Sequence, residues 1–165
     1  MVIAVISDTH LPRGHRRLPA GCVAELRAAD LILHAGDIAT VRVLEEIEAI
    51  GPPVRAVLGN VDEAALAARG VPFELEVEAE GARIAMLHDA GPAKGRLARM
   101  RARFPDADAV VFGHSHLPLH EHRDGFHIFN PGSPTERRRA PAHTMGLATA
   151  RDGRLEFELV TLGPA

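Results

Sequence analysis

Three short apolar runs open the chain, and each stops at a polar cluster. Val2-Ile3-Ala4-Val5-Ile6 ends at Ser7-Asp8-Thr9-His10, and Leu31-Ile32-Leu33 ends at His34-Ala35-Gly36-Asp37. Val54-Arg55-Ala56-Val57-Leu58 ends at Gly59-Asn60-Val61-Asp62. Short continuous apolar runs bounded by turn residues suit strands buried on both faces. Two helical segments, at about 20–29 and 40–50, separate them. The second carries Val43, Leu44, Ile47 and Ile50 at helical spacing before Gly51-Pro52-Pro53 stops it. Strand, helix, strand, helix, strand constrains the chain to a parallel sheet with right-handed crossovers.

The second half has a different pattern. Phe73-Glu74-Leu75-Glu76-Val77-Glu78 alternates as a half-exposed strand does. Glu80-Gly81-Ala82 reads as a turn, and Arg83 to Leu87 returns as an apolar strand ending at His88-Asp89. A helix over about 94–104 places Leu97, Met100 and Phe104 on one side. Ala109-Val110-Val111-Phe112 then runs into Gly113-His114-Ser115-His116. Arg123-Asp124-Gly125 and Arg151-Asp152-Gly153 are turn signals between strand-like runs. The expected class is α/β, a parallel-rich sheet followed by antiparallel hairpins.

Composition narrows the function. A chain of 165 residues suits one domain spanning 1–165. The single cysteine, Cys22, excludes an intramolecular disulfide framework and a cysteine-rich zinc motif. No stretch has the length and purity of a membrane span, and MVIAVISDTH lacks the basic start of a signal peptide. A cytoplasmic protein without a membrane partner is therefore expected. A net charge of −3 gives no general footprint for nucleic acid, so no stable nucleic-acid partner is expected. The local run Arg137-Arg138-Arg139 reads either as a solvated loop or as help in holding an anionic substrate.

The chain has 10 histidines but no tryptophan or tyrosine, and their placement matters more than their number. Asp8 and His10, Asp37, Asn60, His88, and His114 with His116 all fall just after the C-terminal ends of five expected strands. Ligands of open α/β sheets bind in the crevice outside those ends. A lone aspartate there is commonly a turn or cap, but seven metal-type residues at five strand ends point to one convergent site.

The ordered series Asp8-x-His10, Gly36-Asp37, Gly59-Asn60, His88 and Gly113-His114-x-His116 resembles the calcineurin-like metallophosphoesterases, in particular their short bacterial and archaeal phosphodiesterases. Asn130-Pro131-Gly132-Ser133 resembles that subgroup too, and the likeness runs from about residue 1 to 161. The resemblance implies a four-layer α/β/β/α sandwich with a binuclear metal centre. By this likeness, one ion takes Asp8, His10, Asp37 and His116, and the other Asp37, Asn60, His88 and His114, with Asp37 bridging. It implies two divalent ions, Mn²⁺ first, with Zn²⁺, Fe or Ni²⁺ also compatible. It also implies activation of water for in-line attack on phosphorus in a small phosphoester, more a diester than a monoester. Asp37, Asn60 and His88 are then expected at the reacting group, with Asn60, Ser133 and His15 as candidate substrate contacts. A phosphatase or nucleotide hydrolase of the same superfamily is the alternative. A further alternative is a protein-interaction scaffold of this fold, as in a retromer subunit that has partly lost its metal ligands. Self-association is left open.

Two departures from the family pattern bear on chemistry. Many relatives read Gly-Asn-His-Glu or Gly-Asn-His-Asp at the third motif, where the histidine contacts phosphate or protonates the leaving group. Here the stretch is Gly59-Asn60-Val61-Asp62, and valine transfers no proton. Relatives also place glycine after the fourth-motif histidine, whereas this chain has Asp89. Asp62 is expected to cap its loop, and His34 reads as packing or as support for a ligand. His120, His122 and His127 read as surface residues or as a separate pH-sensitive or metal-binding patch. His15 lies in the basic loop from Pro12 to Arg17, where it is either exposed or an anion contact.

Overall fold

Alternation within the first strand sets the layering. The computed structural model describes residues 1–14 and 16–163. In β1 (Val2–Ile6), Ile3 and Val5 join one apolar cluster while Ala4 and Ile6 join another on the opposite face. The second of these clusters is completed by Cys22 and Leu26 of α1 (Ala20–Ala28) and by Val43, Leu44 and Ile47 of α2 (Val41–Glu48). β2 (Leu31–His34) and β3 (Val54–Ala56) continue the sheet in parallel, with Ile3 opposite Leu31 and His34 opposite Ala56. Thr40 caps α2, its side chain accepting from Val43 N–H at 3.3 Å.

The second sheet repeats this two-faced burial. After the short α3 (Ala64–Ala68) come β4 (Glu74–Ala79) and β5 (Ala82–Leu87). Ile84 and Met86 of β5 face the first sheet, while Ala85 and Leu87 face Met100 of α4 (Arg96–Arg103) and the adjoining Phe104. β6 (Ala109–Val111), β7 (Leu119–Arg123) and β8 (Phe126–Asn130) complete the sheet in the order β4-β5-β6-β8-β7. The last hairpin, β9 (His143–Arg151) and β10 (Arg154–Leu162), returns to the first sheet, whose order is β10-β9-β1-β2-β3. Three apolar clusters thus separate four layers: helices, sheet, sheet, helix. This is the expected α/β/β/α sandwich.

Three hairpins turn on an acidic residue followed by glycine, with both residues at positive φ: Glu80 and Gly81 at 50° and 80°, Asp124 and Gly125 at 50° and 78°, Asp152 and Gly153 at 50° and 73°. That is the turn whose twist matches paired antiparallel strands. The structure departs from the sequence reading in places. Helix α3, the five-residue AALAA, is too short to show a period, and it buries only Leu66. β3 stops at Ala56; Val57 and Leu58 stay buried, but Leu58 N–H turns to Pro72 C=O at 2.8 Å. The final hairpin extends the first sheet beside β1, because its apolar face completes the core between the two sheets. No helix among the described residues is long and apolar enough to cross a membrane.

Candidate metal centre

Parallel strands present their C-terminal ends on one edge, and here both sheets do so together. β1, β2 and β3 deliver Asp8 and His10, Asp37, and Asn60; β5 and β6 deliver His88, and His114 with His116. Asp8, His10, Asp37, His88 and His116 are buried, whereas His114 is exposed. The structure brings Asp8, His10 and His116 into one group able to hold an ion, and Asp8, Asp37 and His88 into another.

The distances link the two groups. Asp37 Oδ2 lies 3.4 Å from His10 Nε2 and 3.3 Å from His88 Nε2. Asp8 Oδ1 lies 3.3 Å from His116 Nε2 and 4.0 Å from His88 Nε2. Both carboxylates, and not Asp37 alone, therefore stand between the two sets of imidazoles. Asn60 Oδ1 lies 3.2 Å from His88 Nε2 and 3.0 Å from His114 Nδ1.

Hydrogen-bond direction tests whether a cation fits. A carbonyl only accepts, so His116 Nδ1 must donate to Glu136 C=O, and His88 Nδ1 to Ala35 C=O at 2.7 Å. In the neutral rings both Nε2 atoms then carry lone pairs. His116 Nε2 faces His10 Nε2 at 3.1 Å, and His88 Nε2 faces Asn60 Oδ1 and Asp37 Oδ2. Lone pairs opposed at this range repel unless a proton or a cation sits among them. Histidines fixed through their outer nitrogens are the usual setting for metal-ligating imidazoles. Mixed imidazole, carboxylate and amide donors suit Mn²⁺, Fe or Zn²⁺.

Protonation follows the same geometry. Burial pushes His10 below its ordinary value, against the pull of Asp37, and so keeps it neutral. Burial would lower His88 too, but its hydrogen bond to Asp37 and the charge of Asp8 raise it above 6.5. Burial would raise Asp37, yet the hydrogen bond and charge of His88 and the N–H of Val61 hold it at about 2. Both shifts favour the ion pair of His88 and Asp37 in the metal-free protein. The His88 contribution to stability is complete below pH 6.5 and is lost as pH rises through its raised value. The Asp37 contribution is present above pH 3.8 and is lost as pH falls towards about 2. A divalent ion held at His88 Nε2 would compete with that proton. Metal affinity is expected to rise up to about ten-fold per pH unit below the His88 pKa and to level off above it. Calorimetric Mn²⁺ titrations at several pH values, in buffers of different ionisation heat, will count the released proton.

Glycine precedes three ligand clusters for steric reasons. A Cβ on Gly59 would strike Asp37 N and Oδ1, one on Gly36 the His88 ring, and one on Gly113 Ser7 Oγ and Asp8 Oδ2. These candidate ligands are packed against the backbone of the neighbouring strand end. Gly113→Ala is expected to lower stability by about 1–3 kcal/mol and to weaken metal binding, read by thermal denaturation and elemental analysis. Five candidate ligands also hold left-handed backbone: Asp8, His10, Asp37, His114 and His116, with φ from 45° to 69°. Each costs of order 1–3 kcal/mol, and such strain gathers at functional sites.

Supporting contacts account for several residues. Asp62 joins two loops, accepting from Ala39 N–H at 2.6 Å and Gly59 N–H at 2.7 Å, as its expected capping role requires. Ser133 is buried; its hydroxyl donates to Asp8 C=O at 2.8 Å and accepts from Glu136 N–H at 2.8 Å. It thus fixes the first ligand loop and does not face open space as a substrate contact would. Asn130 likewise donates to Gly113 C=O at 2.8 Å. His34 is buried, and that burial pushes its pKa down to about 4; its Nε2 meets Thr9 Oγ1 at 3.0 Å, and its Nδ1 has no hydrogen-bond partner among the described residues. Arg138 pairs with Glu136 at 3.6 Å, alongside Arg13 and Arg16. His15, a candidate substrate contact, lies outside the described residues. His120 and His127 meet at 3.0 Å, with His122 stacked on His127 at 4.2 Å, in a separate cleft between β7–β8 and β10. Sequence reasoning missed Ser7, whose hydroxyl donates to Asp8 Oδ2 at 2.7 Å, and Thr135, whose hydroxyl donates to Thr9 C=O at 2.6 Å. Nothing in a lone serine or threonine marks such a role, which exists only once distant loops meet.

Residues 1–153 match the calcineurin-like phosphoesterase superfamily domain. A probable metallophosphoesterase of Methanothermobacter thermautotrophicus is 33% identical, over 99% of this chain and 94% of its own. Among solved structures, Entamoeba histolytica Vps29 complexed with Zn²⁺ superposes with a TM-score of 0.76 at 21% identity, covering 98% of this chain and 99% of that one. A novel archaeal phosphodiesterase does so with a TM-score of 0.74 at 20% identity, covering 97% and 100%. At those identities the two structures speak for the fold alone.

Proposed function

Because the chain belongs to the calcineurin-like phosphoesterase superfamily, we propose that it is a metal-dependent phosphodiesterase whose centre holds two divalent ions. Asp8, His10, Asp37, Asn60, His88, His114 and His116 are the ligands in this reading. The observation that carries it is Asp37 Oδ2, one carboxylate oxygen between imidazoles of two groups at 3.4 Å and 3.3 Å. Ions held there supply Lewis-acid polarisation of the phosphoryl oxygens and an acidified water for in-line attack. Mn²⁺ is the first choice, and the Zn²⁺ bound by the Entamoeba Vps29 keeps zinc in view.

The chain's own residues orient this chemistry. Ala35 and Glu136 carbonyls fix the His88 and His116 rings so that Nε2 points inward. Val61 N–H and Ser7 Oγ–H hold the carboxylates of Asp37 and Asp8. Asn60, set against both His88 and His114, is the ligand best placed to meet a phosphoryl oxygen as well. Val61 supplies no acid to a departing alkoxide, which favours diesters with stable leaving groups.

The test is hydrolysis of bis(p-nitrophenyl) phosphate by protein loaded with Mn²⁺, Zn²⁺, Fe²⁺ or Ni²⁺ in turn. Turnover no greater than that of Asp37→Ala with every metal would sink the proposal. Mononucleotides in the same assay decide between diesterase and phosphatase.

A further inference from the structure

Large apolar side chains left in water are few here, and two stand at the metal centre. Val61, whose N–H donates to Asp37 Oδ1, is 46% exposed. Phe73 is 76% exposed, the most open of the large apolar residues among those described. Phenylalanine is among the residues most often found inside, yet Phe73 belongs to none of the three core clusters. Core packing among the described residues therefore does not account for it.

Its surroundings suggest one. Phe73 lines a cavity of about 310 Å³ whose wall also includes Asn60, His88 and His114. The ring thus borders the same space as three proposed ligands. The charges around that space come from Glu74, Asp89 and Arg103, in addition to the ligands. Arg103 Nη2 is committed to Glu74 Oε2 at 2.6 Å, and Asp89 shares its charge with Arg96, which does not line the cavity. A second anionic group on the substrate would therefore find the one cationic side chain of this lining already paired, whereas a flat apolar group would meet an open aromatic face.

We propose that Phe73 is the stacking platform of a substrate subsite, which takes a planar aromatic group on one ester arm of a phosphodiester whose phosphoryl group sits at Asn60, His88 and His114. The phosphoryl end of this proposal rests on the phosphodiesterase reading above. Simple aryl groups and nucleobases share the required chemistry, since each offers a π face to the ring.

Calorimetry on the Mn²⁺-loaded protein tests it without any need for turnover. Phenylphosphonate and ethylphosphonate carry the same head group and differ in the ring. The ring is expected to tighten binding roughly ten-fold, and Phe73→Ala is expected to erase that difference without changing metal content. Phe73→Trp adds a unique fluorophore, because the chain has no tryptophan. Its emission should be quenched by p-nitrophenylphosphonate and unmoved by ethylphosphonate. Adenosine 5′-phosphonate separates the sources: binding tighter than phenylphosphonate and lost in Phe73→Ala supports a nucleobase, and weaker binding supports a simple aryl arm. A ring preference that survives Phe73→Ala overturns the subsite, and so does failure of phenylphosphonate to bind. Ring-dependent binding without diester turnover would sink the phosphodiesterase reading while leaving the subsite in place.

Discussion

Replacing Asp37 by alanine is expected to remove at least about 10³-fold of phosphodiester turnover, or ~4 kcal/mol of transition-state stabilisation, and to leave a folded protein. The loss comes from charge and position together. Asp37 Oδ2 lies within 3.4 Å of imidazoles from both sheets, and Oδ1 accepts from Val61 N–H at 3.1 Å. Alanine deletes a carboxylate that stands between the two groups of candidate ligands and also holds the Asn60 loop through Val61 N–H. Asp37→Asn is the informative companion. It keeps the shape and the bond from Val61, but it lacks the charge that lifts His88 and would neutralise two ions. Activity should fall nearly as far as in alanine, while circular dichroism stays close to wild type. Elemental analysis should record fewer bound ions in both variants. Turnover within ten-fold of wild type, with two ions retained, would remove Asp37 from the bridging role.

The second large effect is a gain. Val61→His is expected to raise kcat/KM by about 10²-fold on diesters with alkoxide leaving groups, and to change little on p-nitrophenyl esters. A nitrophenolate departs without a proton, so only the poorer leaving group feels the added acid. Val61 is well placed for the exchange: it follows Asn60, is 46% exposed, and holds its backbone through Asp37, so a new side chain disturbs no packing. The measurement is the slope of log kcat/KM against leaving-group pKa, which should flatten in the variant. An unchanged slope would mean that a histidine at this position does not reach the leaving oxygen.

How much of this was legible beforehand depends on the range of the interaction. The β1, β2 and β5 strands announced themselves, because continuous apolar runs end at turn residues in the chain itself. The seven candidate ligands stood out for the same reason, each being placed by the strand it follows. What could not be read was set by loops meeting across the fold. That Asp8 lies between both imidazole sets, as Asp37 does, follows from its distances to His116 and His88 and from no local pattern. Ser133 looked like a substrate contact because the family resemblance places its turn beside the metal pocket; only the approach of Asp8 C=O shows its hydroxyl to be engaged. α3 was invisible because one helical turn has no periodicity, and Phe73 looked like the buried start of an alternating strand before it emerged as an exposed ring.

The candidate ligands are divided between the two sheets, with Asp8, His10, Asp37 and Asn60 on one and His88, His114 and His116 on the other. Any ion held among them is therefore a rivet through the seam of the sandwich. A protein that binds such ions only when folded gains stability in step with their free concentration, so its melting point becomes a gauge of loading. The fold would register metal supply whether or not a substrate is present.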